Sequence, residues 1–130
     1  MASGPSVPTG CDILDMVLTG GVDVHFWTIA PDFTGVGGTE VVGYTPPTVV
    51  FNPAEAATGG QIAKATNAAA FVVVEMPVAS DAVAAISLHD PATDELKWLH
   101  DSPTFPAAWA VGESPLFDAG DFAVALVPAS

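Results

Sequence analysis

The spacing of apolar residues changes period once along the chain. In GCDILDMVLTGG, Ile13, Leu14, Val17 and Leu18 recur at helical spacing, while Asp12 and Asp15 fall on the other face. Thr9 suits the N-cap, Asp12 the first turn and Gly20-Gly21 the stop, which predicts a short helix over 11–19. From Val22 onward the period is 2. VDVHFWTI (22–29) alternates and is rich in β-formers, so it reads as a strand. Further strands are expected at EVVGY (40–44), TVVF (48–51), weakly near Ile62, strongly over Phe71–Met76, and at AVAAISLH (82–89) and LKWLH (96–100). DFAVALV (121–127) closes the series, with Phe122, Val124 and Leu126 on one face. The connecting segments APDFTGVGGT, NPAEAATGG and SPTFPAAWAVGESPLFDAG are rich in turn residues.

Short strands at intervals of roughly ten residues, punctuated by Gly and Pro, predict an all-β fold: a single antiparallel β-sandwich with a short N-terminal helix. An alternating βαβ series is excluded, because the one helical segment precedes every strand. Residues 1–10, rich in Pro, Ser and Gly, are expected to form an N-terminal arm, and residues 11–130 the sandwich domain. A chain of 130 residues is long enough to bury a core of its own.

Charge narrows the range of functions. Fifteen acidic residues face only Lys64 and Lys97, with no arginine, for a net charge of −13. Nucleic-acid binding depends on cations that displace phosphate counterions, so DNA and RNA are excluded as partners, and an anionic membrane surface with them. An acid-rich, arginine-free composition is also what a high-salt environment favours. No apolar run reaches the ~18 residues of a membrane span, and MASGPSVPTGCD has no basic stretch ahead of an apolar one, so no secretory signal is expected there. Cys11 is the single cysteine, expected to be a small buried apolar residue with no internal disulfide.

The candidate chemistry centres on AAISLHDPATDELKWLHDSP (84–103), which carries His89-Asp90 and His100-Asp101. Asp90-Pro91 and Asp94 supply turn chemistry, so the stretch folds back on itself. Whether the two imidazoles share a face depends on the parity of the strand pairing, which the residues leave open. Even the favourable parity offers two histidines where zinc takes three or four ligands. His25, on the first strand, is a third histidine that nothing in the sequence ties to the pair. No metal, cofactor or catalytic residue is therefore expected, and the histidines read as strand-edge residues beside a turn. GxSxG and HExxH are absent, Cys11 lacks an activating base, and TGVGGTE lacks the lysine of a phosphate-binding loop. DAGD (118–121) reads as a turn before the last strand, being too short for a calcium loop. Trp27, Trp98 and Trp109 are expected in the core, a sugar-binding surface being the alternative.

The order of these segments resembles a family of small tailed-phage proteins known as tail-fibre-like proteins. ILDMVLTGGVDVHFWTIAPDFTGVGGTEVVGYTPPTVVF resembles its opening of a helix, a strand "φxLHT", "DPxxTGxxE" and a Gly-Tyr segment. AAISLHDPATDELKWL resembles its "hVGLWDAATGGxxL" hairpin, and FDAGDFAVALV its closing "fxAGdLxvtL" strand. The similarity runs in order over residues 11–127. Departures are Tyr44-Thr45-Pro46 in place of Tyr-Ala-Arg, and Phe26-Trp27-Thr28 in place of Leu-His-Thr. The resemblance implies a non-enzymatic structural protein of the virion, either a head (capsid) decoration or a short fibre component, 130 residues being too few for a complete long fibre. It implies packing against the major capsid protein or tail proteins and a homo-oligomeric state, such as a trimer. The residues expected to make assembly contacts are Pro5, Val7, Pro8, Phe33, Phe105 and Trp109. The alternative is a host-surface glycan-binding module, for which Trp98, His89 and His100 are the residues expected to face a ligand.

Overall fold

The structure, a computed structural model, describes residues 3–101 and 103–127. Residues 1–2 of the expected arm, and 102 and 128–130 of the expected domain, lie outside the described residues. One helix, α1 (Val7–Leu18), is followed by β1 (Val22–Ile29), β2 (Thr39–Glu40), β3 (Thr48–Val49), β4 (Glu55–Ala56), β5 (Ala63–Thr66) and β6 (Phe71–Val72). A 3-10 turn at Ser80–Ala82 leads into β7 (Ala85–His89), β8 (Leu96–Asp101), β9 (Leu116–Phe117) and β10 (Ala123–Leu126). Every pairing among them is antiparallel. The strands form a five-stranded sheet (β2-β1-β7-β8, with β3 also on β1), a three-stranded sheet (β10-β5-β4) and the pair β6-β9. The sheets are not closed. Mostly antiparallel strand with one helix is thus the architecture. By contacts the chain divides into two compact units.

The first unit comprises Met1–Gly20, Val50–Ala70 and Asp118–Ser130. Its helix begins four residues earlier than the apolar spacing predicts, so residues 7–10 of the expected arm are helical. Ser6, not Thr9, is the N-cap: its hydroxyl accepts from the Thr9 N–H, and Pro8 sits in the first turn, where its missing N–H costs nothing. Leu14 and Leu18 are buried, one turn apart, with Ile13 and Val17 half-buried beside them. Gly10 completes this face. A Cβ there would lie 2.6 Å from Ile62 Cγ2, so only glycine lets α1 come this close to the neighbouring chain. Cys11 is half-buried, more open than its small apolar character suggests.

Asn67 organises the end of this unit. It follows β5, is 0 % exposed, and uses all of its hydrogen-bonding capacity. Its amide donates to the Ala69 and Asp118 carbonyls at 2.9 and 3.0 Å. Its Oδ1 accepts from the Gly120 and Phe122 N–H groups at 3.0 and 2.9 Å. One side chain therefore fixes the Asp118–Asp121 turn that starts β10, and DAGD is a turn, as its residues suggest.

The second unit comprises Gly21–Val49 and Phe71–Phe117. β1 occupies the predicted residues and lies against β7 with Asp23 opposite His89, His25 opposite Ser87 and Trp27 opposite Ala85. Alternation puts Val22, Val24 and Phe26 on one face with Ile86 and Leu88, and Asp23, His25 and Trp27 on the other with Ser87 and His89. Phe26 meets Trp109 edge-on, and Phe105, Trp109 and Phe117 continue that aromatic cluster, with Phe71 stacked on Phe117. The strong strand expected over Phe71–Met76 ends after Val72. Val73 and Met76 are buried while Val72 and Val74 are exposed, and Glu75 takes a left-handed φ of 52° in an intervening turn. EVVGY likewise keeps only its first residue in a strand.

Replacing Asn67 by Ala removes four side-chain hydrogen bonds from a fully buried position. We expect a loss of about 3 kcal/mol, read as a lower denaturant midpoint at unchanged m-value.

Candidate functional site

The 84–103 segment folds back as expected, through an Asx turn in which Asp90 Oδ1 accepts the Ala92 N–H. The pairing sets Ile86 opposite His100 and Leu88 opposite Trp98, then slips by one residue at a bulge so that His89 faces Leu96. His89 and His100 therefore point to opposite faces. His100 is exposed, and His89 is buried. The partner of His89 is His25, on β1: the two rings stand 4.0 Å apart, tilted by 37°. Asp94 approaches both rings, and these three residues are the group among the described residues that brings three metal-ligating side chains together.

A buried polar face requires a partner for every donor and acceptor, and the chain of bonds here fixes the protons. The Trp27 indole N–H can only donate, and it donates to Ser87 Oγ at 2.7 Å. His89 Nδ1 lies 3.0 Å from the Asp94 carbonyl, which can only accept, so Nδ1 carries a proton and donates. In the neutral ring Nε2 is then the acceptor for the Ser87 hydroxyl, at 2.7 Å. His25 Nδ1 bonds Glu40 Oε2 at 3.0 Å. Glu40 also accepts from the Tyr44 hydroxyl at 3.5 Å, while that hydroxyl accepts the Phe26 N–H at 2.8 Å. Phe26 lies where β2 has ended and β3 has not begun along the edge of β1, so the phenol takes the place of a missing strand. Burial pushes the Tyr44 phenol well above its ordinary range, with the Glu40 carboxylate adding to the effect.

Asp94 has a φ of 61°, a left-handed conformation that Asp tolerates better than most residues. Its side chain is 75 % exposed, with Oδ1 at 3.5 Å from His25 Nε2 and 3.6 Å from His89 Nδ1.

The other expected site residues are scattered. Pro5 is half-buried, and Val7 and Pro8 are the exposed first two residues of α1. Phe33 is 86 % exposed, on a loop that is ordered by one carboxylate. Asp32 Oδ1 accepts from the Thr34 N–H, the Thr34 hydroxyl and the Val36 N–H at 2.9, 2.5 and 3.0 Å. The Thr34 hydroxyl bond in particular holds the Asp32 carboxyl below its ordinary value. Gly38 closes the loop at φ 75°, where a Cβ would strike the Ile29 carbonyl oxygen at 2.6 Å. This loop is therefore a built turn, closed by Asp32 at one end and Gly38 at the other. Phe105 is half-buried and Trp109 is 6 % exposed. Trp109 offers no assembly surface, because its ring lies among Phe26, Phe105 and Phe117 and its N–H donates to the Val78 carbonyl. Trp98 is half-buried, between exposed Lys97 and half-buried Leu99. His89, expected to face a ligand, is buried and hydrogen-bonded through both ring nitrogens. Sequence reasoning missed Glu40, Tyr44, Ser87 and Asp94 as one constellation; the His25/Trp27 alternation was its only signal.

The chain matches no family model, no curated protein and no solved structure among known proteins.

Ser87→Ala removes the link between Trp27 and His89 and leaves a buried N–H and a buried ring nitrogen unpaired. We expect destabilisation of about 2 kcal/mol in chemical denaturation; a change within the few tenths typical of a neutral substitution would contradict the proton assignment.

Proposed function

We propose that this chain is a structural protein of a tailed-virus particle, a capsid decoration or short fibre component that acts by packing and not by catalysis. In this reading it is a single antiparallel β-sandwich with a short N-terminal helix, resides in the virion as a homo-oligomer, and adheres to capsid or tail proteins. The observation that carries the reading is the Asp32-locked loop, which spends three hydrogen bonds to hold Phe33 out in solvent, with Val36 beside it and Ile29 at its base also exposed. Ordering a loop costs conformational entropy, and an ordered loop with an aromatic tip is a pre-arranged contact.

Three further points support it. The segment order of residues 11–127 resembles the phage tail-fibre-like family. The charge of −13 without arginine leaves phosphate-bearing partners unfavoured. Phe105 and the exposed start of α1 at Val7 and Pro8 supply further apolar contacts, toward the roughly 800 Å² per partner that a stable interface buries.

The test mixes the purified chain with tailed-virus particles assembled without it. The wild-type chain is expected to co-sediment with particles at a fixed ratio, and Phe33→Ser to lose attachment at least tenfold. The thermal midpoint of Phe33→Ser should be unchanged, because exposed substitutions shift stability by about 0.5 kcal/mol or less. Specific binding on a glycan array without particle attachment would favour a host-surface binding module instead and overturn the proposal.

A further inference from the structure

We propose that His25, His89 and Asp94 bind one borderline divalent transition cation, with zinc as the probe, through His25 Nε2, His89 Nδ1 and Asp94 Oδ1. This inference does not depend on the virion reading. It begins with three distances. Asp94 Oδ1 stands 3.5 Å from His25 Nε2 and 3.6 Å from His89 Nδ1, and one ligand atom from each of the three residues lies within 4.8 Å of the others. A hydrogen bond from a ring N–H would draw the oxygen to about 2.9 Å. Ligands held at about 2.0–2.1 Å from a tetrahedral zinc are instead about 3.4 Å apart. The observed separations are too long for the first arrangement and close to the second.

His25 is tied through Nδ1 to Glu40 Oε2 at 3.0 Å, which leaves Nε2 as the ring nitrogen that faces Asp94. A carboxylate holding the far nitrogen of a metal-binding imidazole is the usual outer support of such sites, and Glu40, steadied by Tyr44, is in that place. His89 can bind the cation by giving up one hydrogen bond, that to the Asp94 carbonyl. When Nδ1 binds the cation, the ring proton moves to Nε2 and is donated to Ser87 Oγ, already at 2.7 Å. That oxygen has two lone pairs and can accept from His89 and Trp27 together. The bond from His89 Nδ1 to the Asp94 carbonyl is exchanged for the bond to the metal.

The donor set selects the ion class. Two imidazoles and one carboxylate suit zinc, cobalt, nickel or copper, whereas magnesium and calcium take oxygen ligands. Both histidines are buried on paired strands and held by neighbours, while Asp94 is 75 % exposed on the return of the turn. The ion can thus enter from solvent at Asp94 and keep a water there as fourth ligand.

The experiment titrates the metal-free full chain with zinc chloride by calorimetry, and with cobalt chloride by visible absorption. One zinc per chain is expected, with the intense visible bands of tetrahedral cobalt displaced by zinc. Asp94→Asn keeps a residue that accepts left-handed φ but removes the carboxylate charge, and is expected to weaken zinc binding by at least about tenfold. Glu40→Gln is expected to weaken it by about 10- to 100-fold. His100→Ala, at an exposed histidine outside the cluster, should bind as the wild type does. Far-UV circular dichroism confirms that each variant is folded. Absence of a stoichiometric zinc, an Asp94→Asn chain that binds as tightly as the wild type, or an equal loss in His100→Ala would each overturn the proposal, the last by showing that the acidic surface binds zinc diffusely.

Discussion

The second unit depends on one constraint: β1 and β7 are buried on both faces, and one of those faces is polar. Hydrophobic burial settles the other side, where Val22, Val24, Phe26, Ile86 and Leu88 need only exclude water. On the polar side, each unpaired group would cost about 1–3 kcal/mol. The solution is a directional relay from the Trp27 indole through Ser87 and His89 to the Asp94 carbonyl, with His25, Glu40 and Tyr44 as a second branch. Among the described residues no buried side-chain nitrogen or oxygen lacks a partner. The relay also locks register. A one-residue slip of β1 on β7 would send Trp27 and His25 into the aromatic cluster and Phe26 into the relay.

The same constraint separates the interior of this unit from the surface on which the proposed adhesive role rests. The polar groups that look most like chemistry are held inside by structural hydrogen bonds. Apolar Phe33, by contrast, stands in solvent on a loop tied by Asp32. The proposed adhesive role draws on it. The proposed cation site lies where the relay reaches the surface, at the one turn residue shared by both rings. There a bound ion would tie the β7–β8 turn to β1.

Several features were legible in the residues. The alternation of VDVHFWTI located β1, the Asp-Pro pair located the hairpin, and the i, i+4 pair Leu14/Leu18 marked the buried face of α1. Others depend on long-range geometry that periodicity does not encode. His25 and His89 meet because β1 pairs with β7 across more than sixty residues. A bulge between Leu88 and His89 changes the register, so spacing could not determine the faces of His89 and His100. Trp109, expected both in the core and among the assembly contacts, lies in the core because its indole joins an aromatic cluster, while three bonds to one carboxylate hold the loop of exposed Phe33. The VVVEM run reads as a strand by composition, yet burial of both Val73 and Met76 requires a turn between them.

The proton assignment of the buried relay is the claim on which the rest stands, and it can be read directly. Long-range proton–nitrogen NMR of the imidazoles in metal-free protein at neutral pH reports which ring nitrogen carries hydrogen. The account predicts hydrogen held on His89 Nδ1, donated to the Asp94 carbonyl. A His89 Nδ1 without hydrogen, or a ring exchanging freely between the two tautomers as an exposed histidine does, would contradict it.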